Sequence, residues 1–130
     1  MALGLPHREP FVFVDRVLAR CGGESAECAK TFPAGTPFFA GHFPGAPIVP
    51  GVILAEALAQ TAGLAAGQPG RSFRLTAIRS MKFPSAAAPD EEIRLHARKA
   101  AVVGGLWQFE VRADAGGRTV AEGVIVLSEA

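Results

Sequence analysis

The sequence predicts an α+β fold, a curled antiparallel sheet of about six strands wrapped around one long buried helix. One segment, Val52 to Ala66, has the Ala and Leu content of a helix and is apolar nearly all round, so it belongs in an interior. Strand-like stretches flank it, two before and about four after, and glycine pairs divide most of them as hairpin turns would. A helix that must be covered on every side is satisfied by a sheet that curls around it; an open sheet covers one face only. A second copy of the chain would bury what the sheet leaves, so burial alone predicts a dimer.

Taken in order, Phe11 to Arg20 is rich in Phe and Val and reads as a strand. Gly22-Gly23 marks a turn, and Ser25 to Phe32 is the return strand. From residue 33 to 51, Pro33, Gly35, Pro37, Gly41, Pro44, Gly45, Pro47, Pro50 and Gly51 crowd together, which predicts a shaped loop without regular structure. Pro50-Gly51 is a start signal for the helix, and Gly67-Gln68-Pro69-Gly70 ends it. Strands follow over Phe73 to Phe83, Glu91 to Val102, Leu106 to Ala113 and Arg118 to Leu127, with turns at Gly104-Gly105 and Gly116-Gly117.

The length of 130 residues points to a single domain, expected over 1–130. With 49% hydrophobic and 19% charged residues the chain has ample material for a core, and a formal charge of +1 gives no bulk reason to expect a nucleic-acid or membrane-surface partner. Two cysteines, Cys21 and Cys28, are too few for a disulfide framework and lack metal-site spacing, so they are expected as free thiols in a reducing compartment, and no metal is expected. The N-terminus has no long apolar stretch of the signal-peptide kind, and no segment approaches the roughly 18 uninterrupted apolar residues of a membrane span. A cytoplasmic protein with no membrane partner is the expectation.

Two residues stand out. Glu56 lies inside the apolar helix, where an ionised carboxylate is costly unless paired, and where a carboxyl kept un-ionised is a proton donor. Gln60, one turn on, shares its face and could orient it. His42 lies in the Pro/Gly-rich loop among apolar neighbours, and an imidazole can act as base near neutral pH. Each has a plain alternative: a structural Glu paired with an Arg or facing solvent, and an ordinary loop histidine. Together they offer the acid and base that a water elimination needs. Between them the helix start at Gly51-Val52 offers backbone N–H groups and a positive dipole end, and Gly51 lets an acyl carbonyl approach closely.

The run Gly41-His42-Phe43-Pro44-Gly45-Ala46-Pro47-Ile48-Val49-Pro50-Gly51-Val52-Ile53-Leu54-Ala55-Glu56-Ala57-Leu58-Ala59-Gln60 resembles the signature of the FabZ-type 3-hydroxyacyl-[acyl-carrier-protein] dehydratases, including the His-to-carboxylate spacing. Leu5-Pro6-His7-Arg8, Pro10-Phe11, Val14-Asp15-Arg16-Val17 and Pro37-Phe38-Phe39 resemble the same family. The resemblance implies a hot-dog fold, a homodimer or a trimer of dimers, no metal or organic cofactor, and (3R)-hydroxyacyl substrates on the phosphopantetheine of an acyl carrier protein. It implies His42 as the base at C2, Glu56 as the acid toward the 3-hydroxyl, and the Gly51 N–H on the thioester oxygen. Phe43, Pro50, Val52 and Gln60 complete the substrate-binding set. In the family the His and the carboxylate of one site come from different protomers.

The family's gating Tyr is Glu9 here, and its Pro-Gly-Asp turn is matched only loosely by Phe83-Pro84-Ser85-Ala86-Ala87-Ala88-Pro89-Asp90. The related dehydratase–isomerase branch carries Asp at the Glu56 position, which favours simple dehydration. No acidic residue occurs between Ala57 and Pro89, whereas Arg71, Arg74, Arg79 and Lys82 do, a basic run that could meet an acidic carrier or serve as a solvated edge. His7 is a gate or an ordinary N-terminal His, His96 reads as structural, and Trp107 and Phe109 as core or dimer packing. Two other functions remain open: a hot-dog acyl thioesterase and a non-catalytic acyl- or carrier-binding module.

Overall fold

The computed structural model describes residue 9 and residues 11–41, 45–67 and 71–129. Along the chain run β1 (Arg16–Cys21), β2 (Ser25–Thr31), α1 (Phe38–Gly41), α2 (Gly51–Ala66), β3 (Phe73–Lys82), β4 (Glu92–Val103), β5 (Leu106–Ala115) and β6 (Arg118–Glu129). The strands form one antiparallel sheet in the order β1-β2-β4-β5-β6-β3. The hairpin β1–β2 and the meander β4–β5–β6 are local pairings. Helix α2 carries the chain from β2 to the far edge, where β3 pairs with β6.

Helix α2 touches all six strands, the enclosure its apolar composition demands. Leu54, Leu58, Ala62, Leu64 and Ala65 are almost fully buried and meet Ile93, Leu95, Phe109, Ile125 and Leu127 from the sheet in one core. Beyond its first turn, only Glu56 and Gly63 of α2 are less than fully buried. They are two turns apart and so lie on one stripe. The C-terminal end is tied to the β1–β2 turn: Gly23 N–H donates to the Ala65 carbonyl (2.8 Å) and Arg20 Nη2 to the Gly67 carbonyl (3.2 Å). The first satisfies a last-turn helical carbonyl and the second the carbonyl of the C-cap residue, and the guanidinium complements the negative dipole end.

Two expectations are corrected. Residues 38–41 form one helical turn in the loop read as irregular: Phe39 N–H donates to Thr36 O (3.1 Å) and Ala40 N–H to Pro37 O (3.2 Å). Pro37 precedes the turn, where its missing N–H costs nothing, and no Pro or Gly falls within 38–40. The first strand begins at Arg16 rather than Phe11. Phe13 and Val14 are both buried, which a half-buried strand with alternating side chains forbids, and the segment leaves the sheet to meet α2. The remaining strands fall where expected, β5 and β6 each ending two residues later. Phe109 is fully buried and Trp107 packs edge-on against Phe73 at 5.3 Å, so this pair belongs to the core.

On the outer face, Glu27, His96, Arg112, Glu122 and Lys82 stand in register across β2, β4, β5, β6 and β3. Ion pairs Arg94–Glu27, Arg98–Glu110 and Arg112–Asp114 lace the neighbouring rows. Individually such exposed pairs add little stability, but they make the face uniformly wet. His96 Nε2 is 3.4 Å from Asp114 Oδ2 within this network, in keeping with a structural histidine.

Strand β3 follows β6 through two register shifts, at Leu75/Ala77 and Ile78/Ser80. Opposite the second, Gly123 approaches β3 so closely that a Cβ there would run into the Ser80 carbonyl. Both atoms belong to backbone, so relief requires strand movement. Gly123→Ala is therefore expected to destabilise the fold by about 1–3 kcal/mol, measured as a lower urea midpoint; an unchanged midpoint would show that β3 shifts freely.

Candidate active site

Gln60 is 1% exposed, and its carboxamide is fully engaged. Phe13 N–H donates to Oε1 (2.8 Å), while Nε2 donates to the Phe11 carbonyl (3.1 Å) and to Glu56 Oε2 (3.0 Å). The backbone partners settle which way the amide faces, because Phe13 requires an acceptor and Phe11 a donor. The second amide N–H is thus aimed at Glu56. The i, i+4 spacing on α2 brings the two side chains together, and the residue 11–13 strap holds them there. Glu56 itself is partly exposed on the open stripe.

One and a half turns earlier, α2 begins at Gly51 with Pro50 as its N-cap residue and no side-chain cap. Ile53 and Leu54 N–H groups turn back to the Pro50 carbonyl (3.0 and 3.2 Å). Those of Gly51 and Val52 precede the ladder and point out of the helix end. Gly51 borders a cavity of about 370 Å³ lined also by Ile48, Val49, Leu54, Phe83 and Val120. The Phe83 ring lies only 3.0–3.2 Å from where a Cβ on residue 51 would sit, so any larger residue here would push the ring outward. Val52, in the first turn, is 76% exposed.

A larger hollow, of about 800 Å³, crosses the sheet's outer face among Glu27, His96, Arg112 and Glu122. It lies on the side away from α2 and its lining alternates in charge, so the smaller apolar cavity at Gly51 is the better candidate. Burial pushes the Cys28 thiol up, with a bond to Thr61 only partly opposing it; such a thiol is a poor nucleophile. Cys21 and Cys28 are both free. Among the described residues no cluster of His, Cys, Asp and Glu could hold a metal ion, and no helix is long and apolar enough to cross a membrane.

Residues 19–124 match the ApeI-like family, described as ApeI dehydratase. The chain is 39% identical over 122 residues to the 3-hydroxyacyl-[acyl-carrier-protein] dehydratase FabZ of Rhizobium leguminosarum bv. trifolii, covering 91% of this chain and 79% of that relative. It is 38% identical over 130 residues to the FabZ of Nitratidesulfovibrio vulgaris, covering 95% and 84%. The chain belongs to the 3-hydroxyacyl-[acyl-carrier-protein] dehydratases.

Its hot-dog fold is shared with the dehydratase heterocomplex ApeI:P from Xenorhabdus doucetiae, at a TM-score of 0.79 and 17% identity over 97% of this chain and 88% of that one. In this dehydratase the structure brings Glu56 and Gln60 into contact, with Gly51, Pro50 and Val52 at the start of the same helix. Gln60 faces the interior rather than the cavity at Gly51. His42 and Phe43 lie outside the described residues, as does His7. Sequence reasoning missed Phe83 as the cover of Gly51; its only signal was a large aromatic just before the altered Pro-Gly-Asp turn.

The basic run also changes character in the fold. Arg71 pairs with Glu129 (3.2 Å), Arg79 donates to Gln108 (3.0 Å), and Lys82 stands opposite Glu122. Carboxylates from β6 therefore stand against two of the four cations of the run.

Gln60→Leu keeps most of the side-chain volume and strips the buried Phe13 N–H of its acceptor. A loss of about 1–3 kcal/mol is expected in chemical denaturation; a change below about 0.5 kcal/mol would show that the strap is held by other contacts.

Proposed function

We propose that this dehydratase removes water from (3R)-hydroxyacyl thioesters carried on the phosphopantetheine of an acyl carrier protein, giving the trans-2-enoyl thioester. The observation that supports it most is Glu56: the one charged side chain of a largely buried helix, oriented by a buried amide, five residues after a glycine helix start that borders an apolar cavity.

His42 takes a proton from C2. The electron pair of that C–H bond becomes the C2–C3 double bond as the C3–O bond breaks, and Glu56 gives its proton to the departing oxygen, which leaves as water. His42 ends protonated and Glu56 ionised, and one proton returns through solvent to restore both. Because Gln60 donates to Oε2, the proton for the leaving group is best carried on Oε1. Negative charge that develops on the thioester oxygen is met by the Gly51 N–H and the positive end of α2. Phe43, Pro50 and Val52 flank the acyl group. The scheme uses no metal and no organic cofactor.

Hydration of a trans-2-enoyl thioester, the reverse reaction, is a direct assay. His42→Ala and the isosteric Glu56→Gln should each lower kcat by on the order of 10²–10⁴-fold with an unchanged melting curve. Full activity in either variant would overturn the assignment. Thiol release without enoyl chemistry would move the chain to the thioesterases, and tight acyl-carrier binding without turnover would make it a binding module.

We also infer a homodimer. Strand β3 lies at the sheet edge, ten residues long, with Ile78 48% exposed on it. Such an edge is a template for antiparallel pairing with a second copy, and that copy would cover the open stripe of α2 at Glu56 and Gly63. Light scattering should give twice the 13.5 kDa of one chain; an active monomer would overturn this.

A further inference from the structure

The loop from Phe83 to Glu91, whose first residues match the family's Pro-Gly-Asp turn only loosely, forms one wall of the cavity at Gly51. Ser85 and Ala86 line that cavity, as does Val120 from the start of β6. The buried Ala87 accepts from Val49 N–H (2.8 Å), which joins the loop to the chain just ahead of α2. Each wall residue is fastened to β6. Ser85 Oγ donates to the Thr119 carbonyl (2.8 Å), and Arg118 Nη2 donates to the Ala86 carbonyl (2.7 Å).

Arg118 does more than bond Ala86. Its Nη1 and Nη2 grip Glu91 as a fork, at 2.9 and 2.5 Å, and Nη1 also donates to the Ala115 carbonyl (3.0 Å). Glu91 Oε1 accepts the Ala88 N–H (2.9 Å), so the fork closes a ring of contacts around Ala86, Ala87 and Ala88. A bidentate guanidinium–carboxylate pair adds geometric definition beyond its energy. These side chains are 40% and 28% exposed, so the pair is partly open to solvent. A partly exposed ion pair contributes little to global stability; its strongest effect is on where the wall stands.

We propose that Arg118 and Glu91 act as positioning residues that set how long an acyl chain the cavity admits, by fixing the Ser85–Ala86 wall at its present distance from the start of α2. This rests on the dehydratase reading of the cavity above. With the clamp intact, 3-hydroxyacyl chains whose far end reaches Ser85 and Ala86 are excluded. Without it, the Ala86 carbonyl and the Ala88 N–H can bond water instead, and the wall can retreat into solvent.

The test is the kcat/KM for hydration of trans-2-enoyl thioesters of graded length on one carrier, for the wild type, Arg118→Gln, Arg118→Lys and Glu91→Gln. The ratio of long-chain to short-chain kcat/KM should rise about tenfold in Arg118→Gln, on the scale of one previously excluded methylene. Short-chain kcat should stay within about twofold. Arg118→Lys, which keeps the charge without the fork, should fall between. If Arg118→Gln does not fold, Glu91→Gln carries the test, since it leaves the Ala86 contact and weakens the grip alone. A parallel fall at every length would show a merely structural pair and overturn the proposal, as would an unmoved ratio in an active enzyme. A wild type inactive at every length would overturn the dehydratase reading itself, and this inference with it.

Discussion

A helix with almost no hydrophilic side has to be enclosed, and most of this structure follows from enclosing α2. Each of Leu54, Leu58 and Leu64, taken almost wholly out of water, contributes roughly 1.5–3 kcal/mol. No flat sheet collects that stabilisation from every side at once. Hence six strands touch one helix, and β3 is delivered to the edge farthest from β1. What the curl leaves open is a narrow stripe, and the one charged side chain of the helix stands on it.

Beside that carboxyl stands a buried polar group, the Gln60 amide, which bonds it. The amide could have been an unsatisfied burden; instead each of its polar atoms has a partner, two of them from the strap at Phe11 and Phe13. A fully satisfied buried network is rigid. The strap therefore fixes where the Glu56 carboxyl stands, because both share the one Gln60 amide.

The sequence made the enclosure legible because it is written in composition: an apolar Ala/Leu helix and β-rich stretches between glycine pairs. Glu56 was legible as an exception to that composition, and Gly51 as a helix start. Less legible was anything that depends on which strands become neighbours. The basic run reads as one sign until β6 sets Glu129 and Glu122 against it. The Phe11–Val14 segment has strand composition, yet it stands off the sheet, with Phe13 bonded to the Gln60 amide and Phe13 and Val14 both buried in the core. Arg118 and Glu91 are far apart along the chain, look like ordinary surface charges, and carry no local signal of meeting. The one-turn α1 was hidden by the prolines and glycines on either side of it.

The ranked charges on the back of the sheet have a bearing on assembly. Bringing a second sheet flat against Glu27, His96, Arg112, Glu122 and Lys82 would dehydrate a whole row of polar and charged side chains, a penalty that fresh contacts rarely recover. Stacking is therefore disfavoured on that side, and a contact with another molecule costs less along the rims of the sheet and on the side that carries α2.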